Sequence, residues 1–143
     1  MGELRVGVER LQEERWRRRL EGKRVGLLTH PAALTRELDH SVDLVRGLLG
    51  EELVCCFGPQ HGMRGEKQDN MVESDHYVDA RYRIPVYSLY GESRRPKREW
   101  LRGLDAILVD LQDVGVRVYT YLTTVAYILE ALDRLGSGEL WVL

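Results

Sequence analysis

Residues 105–132, DAILVDLQDVGVRVYTYLTTVAYILEAL, decide the fold that the sequence predicts. The apolar run 106–109 is short and β-branched enough to predict a strand that is buried on both faces. A polar turn around Gly115 follows, and beyond it the apolar residues recur at intervals of four and three, as on one face of a helix. The positions predicted to face inward are Val118, Leu122, Val125, Leu129 and Leu132. A strand, a turn and a helix form half of a βαβ unit, which indicates a parallel sheet.

The rest of the chain continues this alternation of strands and helices. Further strands are predicted at 24–29, 53–57, 85–90 and 139–143, and helices at 8–20, 39–49 and 96–101. Asp39 is the predicted N-cap of the second of these helices. The order predicts an α/β fold, a Rossmann-like parallel sheet of about five strands with helices on both faces. The long segment 58–84 is expected to be irregular, and loops of that length are more often functional than not.

Length and composition fit a chain that buries one core. The 143 residues are 43% hydrophobic and 31% charged, so we expect residues 1–143 to form one globular domain. The formal net charge of -2 gives no general attraction to nucleic acid or to an anionic membrane, and neither is expected as a partner. No apolar run approaches the roughly 18 residues of a membrane span. No signal peptide is visible, so a cytoplasmic location is expected.

Polar side chains gather where the predicted central strand ends. Asp110 and Gln112 share one face of an extended strand, and Asp113 and Arg117 follow in the turn. A carboxylate near a guanidinium stays ionised and can serve as a base or a ligand. Alternatively, Asp113 caps the following helix and Arg117 pairs with it. Because ligands bind outside the carboxyl ends of parallel strands, four polar groups at this point favour a functional site.

A second polar group follows the second predicted strand, in GPQHGMRG at 58–65. Its glycines and proline force a tight path that can present Gln60, His61 and Arg64 to a ligand. His61 could act as an acid, a base or a partner of a sugar hydroxyl, or it could simply bond to the backbone. We expect this loop and the turn after residue 110 to face each other across a hollow at one rim. Tyrosines that could stack on a sugar there, or only pack, are Tyr87, Tyr90, Tyr119 and Tyr121.

The motifs of metal and cofactor sites are weak or missing. The histidines lack the helical spacing of a zinc site, and a magnesium ion on Asp110 or Asp113 is a weaker alternative. The turn after the first strand has no Gly-x-Gly-x-x-Gly pattern, which argues against a dinucleotide. Cys55 and Cys56 are neighbours whose side chains should point to opposite faces of a strand, so two buried thiols are expected. The sequence therefore predicts no cofactor and no metal.

Three segments carry a resemblance to a known family: FGPQHGMRG at 57–65, PVYSLYG at 85–91 and GLDAILVDLQDVGVRVYTY at 103–121. They resemble the NamZ family of exo-β-N-acetylmuramidases, which act in peptidoglycan turnover and were long known only as a domain of unknown function. The resemblance implies a Rossmann-like N-terminal domain, joined in the family to a second α/β domain that we expect to be absent from this chain. It also implies removal of terminal N-acetylmuramic acid from peptidoglycan fragments in a cleft between the domains.

The resemblance implies roles for single residues. The implied catalytic residues are His61, Asp110 and Asp113, and the implied substrate-binding residues are Gln60, Arg64, Gln112 and Arg117. Tyr119 is added to the substrate-binding residues as a tyrosine that could stack on the sugar. Family members usually carry Glu at position 60 as the expected catalytic acid, and an amide cannot supply that proton. Two functions therefore stay open: a glycoside hydrolase, or a non-catalytic module that binds an amino sugar or a partner. A homodimer or a separate C-terminal domain is the expected protein partner.

Overall fold

The computed structural model describes residues 4–65, 75–116 and 119–143. In these ranges the strands are β1 Val25–Thr29, β2 Leu53–Gly58, β3 Tyr77–Val78, β4 Pro85–Ser88, β5 Ala106–Asp110 and β6 Glu139–Val142. The α-helices are α1 Glu14–Leu20, α2 Ser41–Leu49, α3 Arg98–Leu101 and α4 Tyr121–Leu135, and 3-10 helices cover Gly7–Gln12 and Gly50–Glu52. Of the helices in the described ranges, none is both long enough and apolar enough for a bilayer.

The strands form one sheet in the order β3-β4-β2-β1-β5-β6. All neighbouring pairs are parallel except β3 and β4, which are antiparallel. The predicted α/β fold with a parallel sheet is confirmed, and β3 is an additional edge strand inside the segment that we expected to be irregular. Two exposed residues carry too little alternation of apolar and polar side chains to signal a strand. Residues 66–74 of that segment lie outside the described residues.

The core has two halves because successive side chains of the central strands point to opposite faces. Every residue of β1 and β5 is buried. Leu27 packs in one half with Val42 and Val45 of α2, and Leu28 packs in the other with Ile128 of α4. Helices therefore cover both faces of the sheet, as predicted. Cys55 and Cys56 are buried free thiols, and burial raises the pKa of Cys55 to about 12.

Two predicted helix starts are wrong. The helix expected at 8–20 is divided at Glu13, whose extended backbone (φ -65°, ψ 128°) separates a 3-10 helix from α1. The N-cap of α2 is His40 and not Asp39, because the His40 Nδ1 accepts the backbone N–H of Val42 at 3.2 Å. Histidine is an uncommon cap, and its side chain can act here because it is already held between two loops.

The buried face of α4 also differs from the prediction. Leu122 and Leu129, which were expected inside, are 66% and 48% exposed. Val125 is half-buried, Val118 lies outside the described residues, and only Leu132 is fully buried as predicted. The residues that face the core are Tyr121, Thr124, Ile128 and Leu132. The helix has apolar residues along two adjacent stripes, so periodicity alone could not decide which stripe meets the sheet.

Candidate functional site

Three strands end side by side at one edge of the sheet. Thr29 of β1 is paired with Asp110 of β5, and Leu28 is paired with Phe57 of β2. The segments that leave these strands therefore start next to one another. We call this edge the carboxyl rim, formed by His30, residues 59–65, residues 111–116 and residues 119–120. In parallel sheets this is where ligands bind.

The loop after β2 turns back tightly on the end of its own strand. The Gly62 N–H donates to the Pro59 carbonyl at 3.0 Å, and His61 has a φ of 73°. A Cβ on Gly58 would lie 3.0 Å from the Met63 backbone nitrogen, so a larger residue would push the loop away. Met63 is fully buried and holds the loop down. As predicted, this tight path leaves Gln60 and His61 half-exposed at the rim.

The loop after β2 is in contact with the segment that leads into α4. The Thr120 Oγ1 donates to the Gln60 Oε1 at 3.5 Å, which joins the loop after β2 to the residue that precedes α4. The His40 Nε2 donates to the carbonyls of His30 and Met63 at 3.0 and 3.1 Å. Burial lowers the pKa of His40, and the positive charge of Arg64 acts in the same direction. A neutral His40 therefore ties the end of β1 to the loop after β2.

Three side chains form a connected group at the centre of the rim. The His30 Nε2 lies 2.6 Å from the Gln112 Oε1, and the Gln112 Nε2 donates to the Asp110 Oδ1 at 2.9 Å. His30 and Asp110 are buried, whereas Gln112 is exposed. Among the described residues, the Asp110 Oδ2 is a buried oxygen without a hydrogen-bond partner. We call these three residues the His30–Gln112–Asp110 group.

Burial shifts both ionisable members of this group toward their neutral forms. It raises the pKa of Asp110, although the polar side chains of Gln112, Ser41 and His40 act against it. It lowers the pKa of His30, against the hydrogen bond with Gln112. The site thus combines a poorly compensated carboxyl group with a neutral imidazole.

Arg64 is engaged in ion pairs on the α2 side of the sheet. Its Nε lies 3.2 Å from the Asp79 Oδ2, and its Nη2 lies 3.4 Å from the Asp43 Oδ1. The same Asp43 oxygen accepts the Tyr82 hydroxyl at 2.7 Å and an Arg81 N–H at 3.3 Å. The arginine that was predicted to bind substrate therefore also holds the loop after β2 to neighbouring elements.

Asp113 orders the turn and does not cap the helix. Its Oδ1 accepts the Gly115 N–H at 2.8 Å, and Gly115 has a φ of 71°. The alternative in which Asp113 caps the following helix is wrong, because α4 begins at Tyr121 with Thr120 as its N-cap. Arg117, predicted as substrate-binding, lies outside the described residues.

The four tyrosines fall into different surroundings. Tyr119 is 44% exposed at the rim and meets the Tyr121 ring edge-on, with centroids 5.5 Å apart. Tyr121 is buried against the His30 ring at 4.9 Å. Tyr87 stacks on Trp100 at 4.9 Å, and Tyr90 is buried. Only Tyr119 of this set is exposed at the rim.

Sequence reasoning missed His30 as a member of the site. The signal that could have found it is its place directly after the first predicted strand, which is where site residues occur in this architecture. Its partner Gln112 lies 82 residues away in the sequence, and no local pattern links the two. Within the described residues, no group of three or more His, Cys, Asp or Glu side chains could hold a metal ion.

Residues 25–143 match the family model described as exo-beta-N-acetylmuramidase NamZ, N-terminal. The peptidoglycan beta-N-acetylmuramidase NamZ of Bacillus subtilis (strain 168) is 40% identical over 133 residues, which cover 93% of this chain and 32% of that relative. The chain therefore spans about a third of the length of this curated relative.

Solved structures agree with this match. A DUF1343 family protein from Bacteroides fragilis NCTC 9343 superposes with a TM-score of 0.82 at 37% identity, covering 97% of this chain and 34% of that protein. A second DUF1343 protein from the same organism gives a TM-score of 0.75 at 24% identity, covering 99% and 35%, and supports the fold alone. The family match spans most of the chain, so this chain belongs to the NamZ family of peptidoglycan muramidases and matches its N-terminal part.

Proposed function

We propose that this chain is the N-terminal, sugar-binding part of a glycoside hydrolase that removes terminal N-acetylmuramic acid from peptidoglycan fragments. Family membership supports the reaction class. One geometric observation supports the place of the site: the loop after β2 and the segment after β5 meet at the carboxyl rim, where Thr120 contacts Gln60. A rim that gathers polar groups from three strands can bind several hydroxyls of one sugar.

Hydrolysis of a glycosidic bond needs a proton donor and a carboxylate near the bond that breaks. Of the predicted catalytic residues, His61 and Asp113 are half-exposed, while Asp110 is buried. We therefore assign direct contact with the sugar to His61 and Asp113 and place Asp110 behind them. Contact of Arg64 or Arg117 with the lactyl carboxylate, and a cytoplasmic location, stay predictions.

One observation favours a second candidate function, a non-catalytic module that binds an amino sugar. The residue at the position of the expected catalytic acid is Gln60, whose Oε1 accepts a hydrogen bond from Thr120. An amide can bind a sugar hydroxyl but cannot donate a proton to a leaving oxygen at neutral pH. The module would then keep the rim and lose the reaction.

A release assay with an aryl N-acetylmuramide, together with calorimetry on N-acetylmuramic acid, separates the two candidates. Three proteins are compared: the unchanged chain, the variant Gln60→Glu at the rim, and the control variant Gln12→Glu. Gln12 is an exposed residue of the N-terminal 3-10 helix. Release by the unchanged chain, or by Gln60→Glu but not by the control, supports the hydrolase. Binding heat without release by any variant supports the binding module. If no protein shows release and none shows binding heat, both candidate functions are contradicted.

A further inference from the structure

Gln112 is an exposed residue, yet both the oxygen and the nitrogen of its side-chain amide have polar contacts. Its oxygen meets the buried His30 ring, and its nitrogen meets the buried Asp110 carboxylate. These partners are 5% and 4% exposed. An exposed glutamine usually samples several rotamers, and holding one of them costs side-chain entropy. Two buried polar groups that converge on one surface amide therefore call for an explanation.

We propose that His30 and Asp110 are positioning residues that fix the Gln112 amide as a pre-oriented hydrogen-bond group for the bound sugar. The inference deepens the proposed function and rests on it, because it needs a sugar at the carboxyl rim. A group that is already oriented loses less entropy when the ligand binds, which increases affinity without adding a contact.

The orientation of the amide follows from the chemistry of its partners. The Gln112 Nε2 donates to the Asp110 Oδ1 at 2.9 Å, so the nitrogen of the amide faces Asp110. The amide oxygen then faces His30 at 2.6 Å and requires a proton on the His30 Nε2. Burial keeps the imidazole neutral by lowering its pKa, which leaves the Nδ1 as an acceptor near the Tyr121 hydroxyl at 3.5 Å.

One further contact of the His30 Nε2 bears on which ring nitrogen of His30 carries the proton. The backbone N–H of Gln112 also lies 3.2 Å from the His30 Nε2, and that bond would need an unprotonated Nε2. The side-chain contact is shorter by 0.6 Å, which favours the proton on Nε2. The opposite tautomer would leave the short contact between two acceptors.

The oriented Gln112 amide still has hydrogen-bonding groups that a ligand can use. A glutamine amide has two N–H donors and an oxygen with two lone pairs. The two described contacts use one donor and one lone pair. The remaining donor and lone pair match a sugar hydroxyl, which both donates and accepts, or the carbonyl oxygen of an N-acetyl group.

The first test needs no ligand. In nitrogen-15 NMR at neutral pH, the His30 ring should show a proton on Nε2. The Gln112 side-chain amide protons should exchange at least about tenfold more slowly than those of the exposed Gln12, as for a group held by a hydrogen bond. His30→Leu should remove this protection, and His30→Asn, which keeps a polar side chain, should restore part of it.

The second test measures calorimetric affinity for N-acetylmuramic acid. Gln112→Leu and His30→Leu should each weaken binding about tenfold, the loss expected for one neutral hydrogen bond. His30→Asn should stay within about threefold of the unchanged chain. The matched control is Gln12→Leu, at an exposed glutamine of the N-terminal 3-10 helix. It should leave the affinity unchanged.

The outcomes are distinct. Amide protons of Gln112 that exchange as fast as those of Gln12, or a His30 proton on Nδ1, would show that His30 and Asp110 do not fix the Gln112 amide. Protected protons with an affinity that Gln112→Leu does not change would overturn the role in sugar binding. If the Gln112 amide protons are protected but the chain binds no amino sugar, the proposed function is overturned, and with it the role of the oriented amide in sugar binding. Loss in both leucine variants with rescue by asparagine supports the inference.

Discussion

Two carboxylates near the start of α2, Asp43 and Asp110, have opposite surroundings. Asp43 accepts hydrogen bonds from the Tyr82 hydroxyl and from the guanidinium groups of Arg64 and Arg81. Asp110 accepts from the neutral amide of Gln112, and its second oxygen has no hydrogen-bond partner among the described residues. The first carboxylate is compensated by charge and supports the fold. The second is buried at a cost to stability, which is the usual sign that a polar group serves a function.

The pKa directions follow from this difference. Burial alone would raise the pKa of Asp43, but the Tyr82 hydrogen bond and the charge of Arg64 hold it below its usual range. Burial raises the pKa of Asp110, and its neutral neighbours do not reverse the shift. A lowered carboxyl pKa contributes stability that is lost as the pH falls through the folded-state value. A raised pKa does the opposite, since stability falls as the pH rises from the unfolded-state value through the folded-state value.

The largest effect on stability is expected from removing Asp79, which pairs with Arg64 beside Asp43. Asp79 is buried, and its carboxylate accepts the backbone N–H groups of Arg81 and Tyr82 and pairs with Arg64. Asp79→Ala should lower the free energy of unfolding by about 3 kcal/mol, because three donors lose their acceptor. Urea denaturation measures the change. Asp133→Ala on the exposed side of α4 is the control, and equal losses in both variants would contradict this role of Asp79.

A smaller effect, with opposite signs at the two sites, is expected from removing each charge. Asp43→Asn should destabilise the chain at pH 7, and the loss should shrink as the pH falls below the usual aspartate range near 3.8. Asp110→Asn should make the chain more stable than the unchanged protein at pH 7, with the gain disappearing toward pH 3.8. Urea denaturation from pH 7 to pH 2 measures both. Parallel pH profiles of the two variants would show that the surroundings do not differ as described.

The smallest effect is expected from an ion pair outside both groups. Arg95 pairs with Glu130 across the surface between the segment before α3 and helix α4, and both side chains are about half exposed. Glu130→Gln should leave the unfolding midpoint in urea unchanged, because solvent screens exposed pairs and the Arg95 guanidinium keeps its contact with the Tyr127 ring, 3.9 Å from the ring centroid. A midpoint shift as large as that of Asp79→Ala would show that exposed pairs contribute more here than the comparison assumes.

Most of the fold could be predicted because its signals are local. The run 106–109 is the buried centre of β5, and the buried apolar residues of α2, which are Val42, Val45 and Leu49, recur at helical spacing. One rule about strand ends predicts the place of the site, and the contact between Gln60 and Thr120 joins two of the segments that the rule selects. The buried stripe of α4 could not be predicted, since Leu122 and Ile128 are equally apolar and only the sheet beneath the helix selects between them.

The sequence by itself determined the order of strands and helices and placed polar residues at two strand ends, because side-chain periodicity and turn chemistry act over a few residues. Only the tertiary structure decided which of those residues touch. It brought His30 to Gln112 across 82 residues, paired Arg64 with two carboxylates, and buried the Asp110 Oδ2 without a hydrogen-bond partner among the described residues. Hydrogen bonding and the shift of a pKa depend on what surrounds an atom in space, and that is set by packing between distant parts of the chain.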